Sequence, residues 1–260
     1  GVKIGDNLSI TEDGTLSASS EAKTVKTPNG RIKLDDGGLH NEDNSREIIK
    51  EYEERHYNIK AILLEEKKWN GGSRNEAIKI PTDSTYTMFL DSDDWFDDDS
   101  CLQTIYDIII NNNYPDCVRL SYNCLIGENK WTQLMKHDTP EKLVNALEVA
   151  CWTKCIKTNL IQLFPENTLM EDVVQHIKQC DKLNEVVLCL KPIVNWNRNN
   201  PNSCSKEENQ NCQQGKWQSS MYRYAADLMD TVCEHDYCEK HRQWRLDIAL
   251  KNIKDGKYIQ

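Results

Sequence analysis

Hydrophobic positions along this chain change their period several times, and each change predicts an element. From Gly1 to Ala18, apolar and polar residues alternate in two short runs around Thr11-Glu12-Asp13-Gly14. Alternation is the strand pattern, and an Asp-Gly pair is a hairpin turn signal. Ser17 to Gly30 is small, polar and poor in large apolar residues, the composition of a linker. From Arg31 the pattern switches between strand-like and helix-like blocks. Arg31 to Leu34 and Asn58 to Leu64 read as strands. Between them Ser45 can cap a helix running to about His56, with Ile48, Ile49 and Tyr52 on one face. Gly71 to Ile78 predicts a short helix, and a strand follows, ending at Asp91.

Downstream, Ser100 to Asn111 is amphipathic through Leu102, Ile105, Ile108 and Ile109. Cys117 to Ile126 and Lys130 to Leu134 read as a strand pair. Pro140 to Val149, Trp152 to Ile161 and Met170 to Leu183 read as helices, Glu185 to Val194 as a strand, and Gln214 to Lys254 as helical. Strands alternating with helices predict an α/β sheet of mostly parallel order. The organisation is a β-hairpin and linker at 1–30, an α/β domain at 31–206, and a helical extension at 207–260.

Composition narrows the class. The chain has 260 residues, 28% charged and 38% hydrophobic, as expected of a soluble globular protein. Its net charge of −10 argues against a broad nucleic-acid surface. No apolar run approaches the roughly 18 residues needed to span a bilayer, and no signal peptide is evident. The start at Gly1 reads as a fragment or a processed product. Eleven cysteines at irregular spacing, in a chain too long to need a disulfide framework, read as reduced cytoplasmic thiols, many of them buried. Cys233, His235, Cys238 and His241 are dense enough to raise zinc, but no second well-spaced ligand pair accompanies them. This C-terminal region could shape the acceptor side or a homo-oligomer contact, but simple helix packing is the favoured role.

The chemistry concentrates in four segments. Phe89-Leu90-Asp91-Ser92-Asp93-Asp94 ends an apolar run in carboxylates, at the end of a strand where α/β sheets bind ligands. Asp-x-Asp suits a hard cation, Mg²⁺ or Mn²⁺, which completes its shell with water and phosphate oxygens. Asp35-Asp36-Gly37-Gly38 offers carboxylates to a base or ribose, beside glycines that permit close backbone approach. Gly71-Gly72-Ser73-Arg74-Asn75 places glycines before a helix start, where N–H groups can meet an anion, and adds a planar cation. Glu171-Asp172 opens a helix, where acids complement the dipole or serve as a base.

Taken in order, these segments resemble family 2 glycosyltransferases. That family carries Asp-Asp-Gly-Ser after a strand, then Arg-Asn before a short helix, then Phe-Leu-Asp-x-Asp-Asp. A Trp-x-Lys and a Glu-Asp pair follow in many members, and Trp152-Thr153-Lys154 and Glu171-Asp172 are similar. The resemblance covers about Arg31 to Lys206. It implies a GT-A-like mixed sheet flanked by helices, and a transferase moving a sugar from a nucleoside diphosphate, UDP foremost, to a hydroxyl acceptor. It implies that Asp36 contacts the base, Arg74 sits by the nucleotide and Asp91 faces the ribose. Asp93 would hold Mn²⁺ or Mg²⁺, and Asp172 would be the acceptor base, with Glu171 beside it. Arg198 would belong to a loop over the diphosphate.

The family's usual first strand and helix have no counterpart before Asp35. In their place stands a segment similar to phage fibre or appendage proteins. The alternative it implies is a phage attachment protein carrying an inactive transferase domain, located in a virion or a host cytoplasm.

Overall fold

The computed structural model describes residues 2–4, 8–10, 16–18, 32–35, 45–65, 68–146, 148–168, 170–200 and 214–255. Strands β1 (Val2–Ile4), β2 (Leu8–Ile10) and β3 (Leu16–Ala18) form an antiparallel meander, so the hairpin around residues 11–14 gains a third strand. β4 (Ile32–Asp35) pairs in parallel with β5 (Ile59–Ile62), and α1 (Ser45–Arg55) connects them. This is the expected βαβ unit, with Ile49 and Tyr52 buried while Ile48 is exposed.

Next come α2 (Trp69–Lys79), β6 (Tyr86–Met88), β7 (Trp95–Phe96), α3 (Cys101–Asn111), β8 (Cys117–Ile126) and β9 (Asn129–Gln133). They are followed by α4 (Pro140–Val144), β10 (Lys154–Lys157), α5 (Glu171–Cys180), β11 (Val186–Asn197), α6 (Gln214–Asp230) and α7 (Asp236–Lys254). The main sheet has the order β6-β10-β8-β11-β7, and β9 also pairs with β8.

Three expectations need correction. The main sheet is mostly antiparallel: among its described pairs only β8–β11 runs parallel. Trp152 to Ile161 is not a helix. A 3₁₀ turn at Cys151–Thr153 leads into β10, which lies between β6 and β8. The position explains the change: Cys155 and Ile156 face opposite sides of a sheet buried on both, which period-2 geometry satisfies and a helix would not. The helix begun at Pro140 stops at Val144 rather than Val149.

β8 is the spine, buried from Cys117 through Cys124. Val118, Leu120, Tyr122 and Cys124 share a core with α3, while Cys117 shares the other core with α4, α5, α6 and α7. The face that carries Cys117 continues through Arg119, Ser121 and Asn123, a polar stripe that is almost wholly buried. In β11 the register shifts around Pro192, which has no N–H to donate to a ladder. The nine described cysteines are free, and eight of them are buried. Among the described residues, no helix is long and apolar enough to cross a membrane.

Candidate active site

The site forms where α2, the turn after β6 and the start of α5 meet. Asn75, 2% exposed, joins two of these. Its amide donates to the Phe164 carbonyl (2.9 Å) and to Glu166 (3.1 Å), and its oxygen accepts from the Phe164 N–H (2.9 Å). The helix is thereby stapled to the segment that leads into α5. Gly71 lets them approach, since a Cβ there would stand 2.2 Å from the Pro165 carbonyl oxygen. Gly71 and Gly72 do not precede the helix as expected but lie inside it. The helix already begins at Trp69, so both glycines are buried in its first turn, and Gly71 serves close packing.

Arg74, the neighbour of Asn75, enters the site. Its guanidinium donates to Asp91 (2.7 Å), Glu171 (3.0 Å) and Asp172 (3.1 Å), and it lies over the Phe164 ring at 5.3 Å. One planar cation thus joins the strand-end acids to the helix-start acids, 97 residues away in sequence at Glu171. Met170, just before α5, is in the left-handed region (φ 73°). That turn carries the chain into α5 with Glu171 and Asp172 in the first helical positions, where the dipole favours negative charge. Burial raises the pKa of both carboxyls, because it penalises the ionised form. Arg74 opposes the rise at Asp172, and Asp91 adds to it.

Asp93 and Asp94 serve a second loop. Asp93 accepts from the Asn200 side chain (2.7 Å), and Asp94 accepts from the Asn197 backbone N–H (2.9 Å). Asp94 is 2% exposed, and its other carboxylate oxygen has no hydrogen-bond partner. Burial, with Asp91 second, pushes its pKa up to about 8. Arg198 stacks on Trp196 (4.9 Å) and lies near Cys124. The residue this loop sets on the acidic turn is therefore Asn200. Asp36 lies outside the described residues; the preceding Asp35 ends β4, opposite Ile62.

Sequence reasoning passed over Asn75, Asn200 and Cys151, which lies beside Asp172. Asn75 stood inside the quoted Arg-Asn block. Asn200 and Cys151 carry no local signal, because only the fold brings them in.

Among the described residues, no group of three or more histidine, cysteine or acidic side chains converges as a ready metal cage. A Mg²⁺- or Mn²⁺-type ion needs only one or two protein carboxylates when phosphate and water complete its shell. The unpartnered oxygen of Asp94 beside Asp91 and Asp93 fits that requirement.

Several solved structures share this fold. Residues 1–349 of S. aureus TarS, in complex with UDP-GlcNAc, align with a TM-score of 0.60 at 19% identity, over 90% of this chain and 66% of that one. The same TarS fragment with UDP aligns at 0.57, also at 19% identity, over 88% of this chain and 64% of that one. The mannosyltransferase PcManGT from Pyrobaculum calidifontis, in complex with GDP-Man and Mn²⁺, aligns at 0.50 and 10% identity, over 85% of this chain and 64% of that one. The chain thus spans slightly under two thirds of these structures. At such identities the likeness shows a fold, and the fold is GT-A-like. No curated protein sequence matches the chain. Residues 32–172 match glycosyl transferase family 2, more than half of the 260 residues, and the chain belongs to that family.

Proposed function

We propose that this chain is a metal-dependent glycosyltransferase that moves a sugar from a nucleoside diphosphate donor, UDP foremost, to a hydroxyl acceptor. The observation that carries this reading is Arg74, which ties Asp91 on the donor side to Glu171 and Asp172 on the acceptor side. The UDP-GlcNAc in the TarS structure supports UDP as the first donor to try. The Mn²⁺ in the PcManGT structure supports the choice of metal.

In this reading Asp172 takes the proton of the acceptor hydroxyl as its oxygen bonds to the anomeric carbon and the bond to the diphosphate breaks. Glu171, its value raised by burial, stands beside the base as a hydrogen-bonding neighbour. Asp91 faces the ribose, Asp36 contacts the base, and Asp93 holds the cation with Asp94 beside it. When bound, the cation neutralises charge on the departing diphosphate. Arg198 stands at the root of the loop that closes on Asp93.

The test is release of nucleoside diphosphate from a panel of UDP-, GDP- and CDP-sugars, with Mn²⁺ or with a chelator. Release from one donor class, abolished by chelation, is expected. No metal-dependent release from any donor in the panel would overturn the assignment.

A further inference from the structure

Two cations lie buried behind the site, where stability alone gives no reason for them. Arg119 on β8 and Lys154 on β10 are 0% and 1% exposed, and they are direct cross-strand partners in an antiparallel pair. Like charges placed opposite each other destabilise a sheet, and buried charges need partners. Their partners here are mainly neutral carbonyls of three consecutive residues. Arg119 donates to the Glu148 carbonyl (2.6 Å) and to the Thr153 hydroxyl. Lys154 donates to the Val149 and Ala150 carbonyls (2.9 Å each). Thr153 in turn donates to the Ala150 carbonyl (2.6 Å). The nearest carboxylate, that of Glu148, is 3.9 Å from Arg119.

The gripped segment leads straight to both halves of the site. Cys151 follows it and lies beside Asp172. Trp152 packs against Trp196 (5.9 Å) and Tyr122 (4.9 Å), and Trp196 carries Arg198 at the root of the loop whose Asn200 holds Asp93. Charge points the same way. Asp91, Glu171 and Asp172 share one guanidinium, so the cluster is short of positive charge, and two cations lie behind it.

We infer that Arg119 and Lys154 are positioning residues, a buried clamp on residues 148–150 that fixes Cys151 against the base and Trp152 under the loop closing on the diphosphate. The inference rests on the transferase reading of the site. The charged and titratable groups around Asp172 are Arg74 on α2, Asp91 after β6, Lys154 on β10, Cys151 in the 3₁₀ turn and Glu171 on α5. Those facing Lys154 are Arg119 on β8, Cys151 in the turn, and Asp172, His176 and Cys180 on α5. Lys154 favours the ionised base, so losing its charge moves the acid limb of turnover to higher pH.

Two variants separate charge from grip. Lys154→Gln keeps a donor for the carbonyls and loses the charge. Its acid limb in kcat/KM should rise by about half a unit to one unit, the low end for a nearby charge, with UDP affinity within twofold of the unaltered protein. Arg119→Lys keeps the charge and loses the fork. Its kcat should fall roughly tenfold or more without a shift of the limb, since small misplacements of reacting groups are costly. An unmoved limb in Lys154→Gln, or an unchanged kcat in Arg119→Lys, overturns the inference. If Lys154→Gln fails to fold, Arg119→Lys decides alone.

Absence of turnover in the unaltered protein would reject the transferase reading instead. The clamp is then decided by thiol labelling in Arg119→Lys. Cys151 should label well ahead of Cys117 and Cys155, which are buried on the adjacent strands. Equal labelling of the three overturns the clamp.

Discussion

Replacing Arg74 by methionine should destabilise the protein strongly, and more so at high pH. The guanidinium is 12% exposed and serves three carboxylates. Asp91, at 36% side-chain exposure, is screened by water, so its pair contributes little. Glu171 and Asp172, at 10% and 26%, are the partners that matter. Removing one partner of a buried pair costs about 3–5 kcal/mol, because the other charge stays behind. Two carboxyls whose values are already raised can escape part of that cost by taking up protons. The net loss at pH 8 should therefore lie near the bottom of the range, about 3 kcal/mol. For a chain of this size that is a fall in Tm of roughly 6–12 °C. Without Arg74 the folded values of Glu171 and Asp172 rise further above their unfolded values. The folded variant then holds protons that the unfolded chain has released, and stability drops as pH rises. Melting both proteins at pH 5.5 and pH 8 should show a gap that widens with pH. A gap below about 2 °C, or one independent of pH, would refute the claim that Arg74 carries the cluster.

Asp172→Asn should lower turnover by roughly 10²–10⁴-fold and leave nucleoside diphosphate affinity unchanged; a loss below tenfold removes it as the base. Gly71→Ala should cost about 1–3 kcal/mol in a urea titration, since its Cβ would strike the Pro165 carbonyl; a neutral result would mean that α2 and α5 are not held at this distance. Asp94, with a pKa of about 8, keeps its proton in the folded state while the unfolded chain releases it. Its contribution to stability therefore falls by up to about 1.4 kcal/mol per pH unit as pH rises from the ordinary carboxylate range toward that value. Asp94→Asn should remove this slope and gain on the unaltered protein between pH 5.5 and 7.5; equal slopes would show that Asp94 is ionised.

The sequence showed most of the elements whose burial follows one period. α1, α3 and β8 lie within a residue or two of their expected limits, because a single buried face enforces the pattern. The strand β10 was hidden because Cys155 and Ile156 are buried on opposite faces, which blurs alternation into a run that helix spacing also fits. Sheet direction was misread for a related reason: strands alternating with helices suggest crossovers, yet β8 reverses into β9 through a tight turn at Gly127 and Glu128, and β10 also runs antiparallel to β8. Within the site, Arg74 was visible as the cation beside a glycine pair, and Asp91, Glu171 and Asp172 as acids at element ends; the structure brings these four together. The buried cations Arg119 and Lys154 were not visible as a pair, because cross-strand register is a property of the folded sheet. Arg198 was named for its charge, while Asn200, two residues on, is the side chain that reaches Asp93.

The central claim is that the acids after β6 and at the start of α5 form a nucleoside diphosphate site completed by a metal. Thermal unfolding with UDP, GDP and CDP, each with and without Mn²⁺, tests it most directly. One nucleotide at about 100 times its Kd should stabilise the protein by about 2.7 kcal/mol only when Mn²⁺ is present, and Asp93→Asn should abolish that gain. No metal-dependent response to any of the three nucleotides would contradict the account.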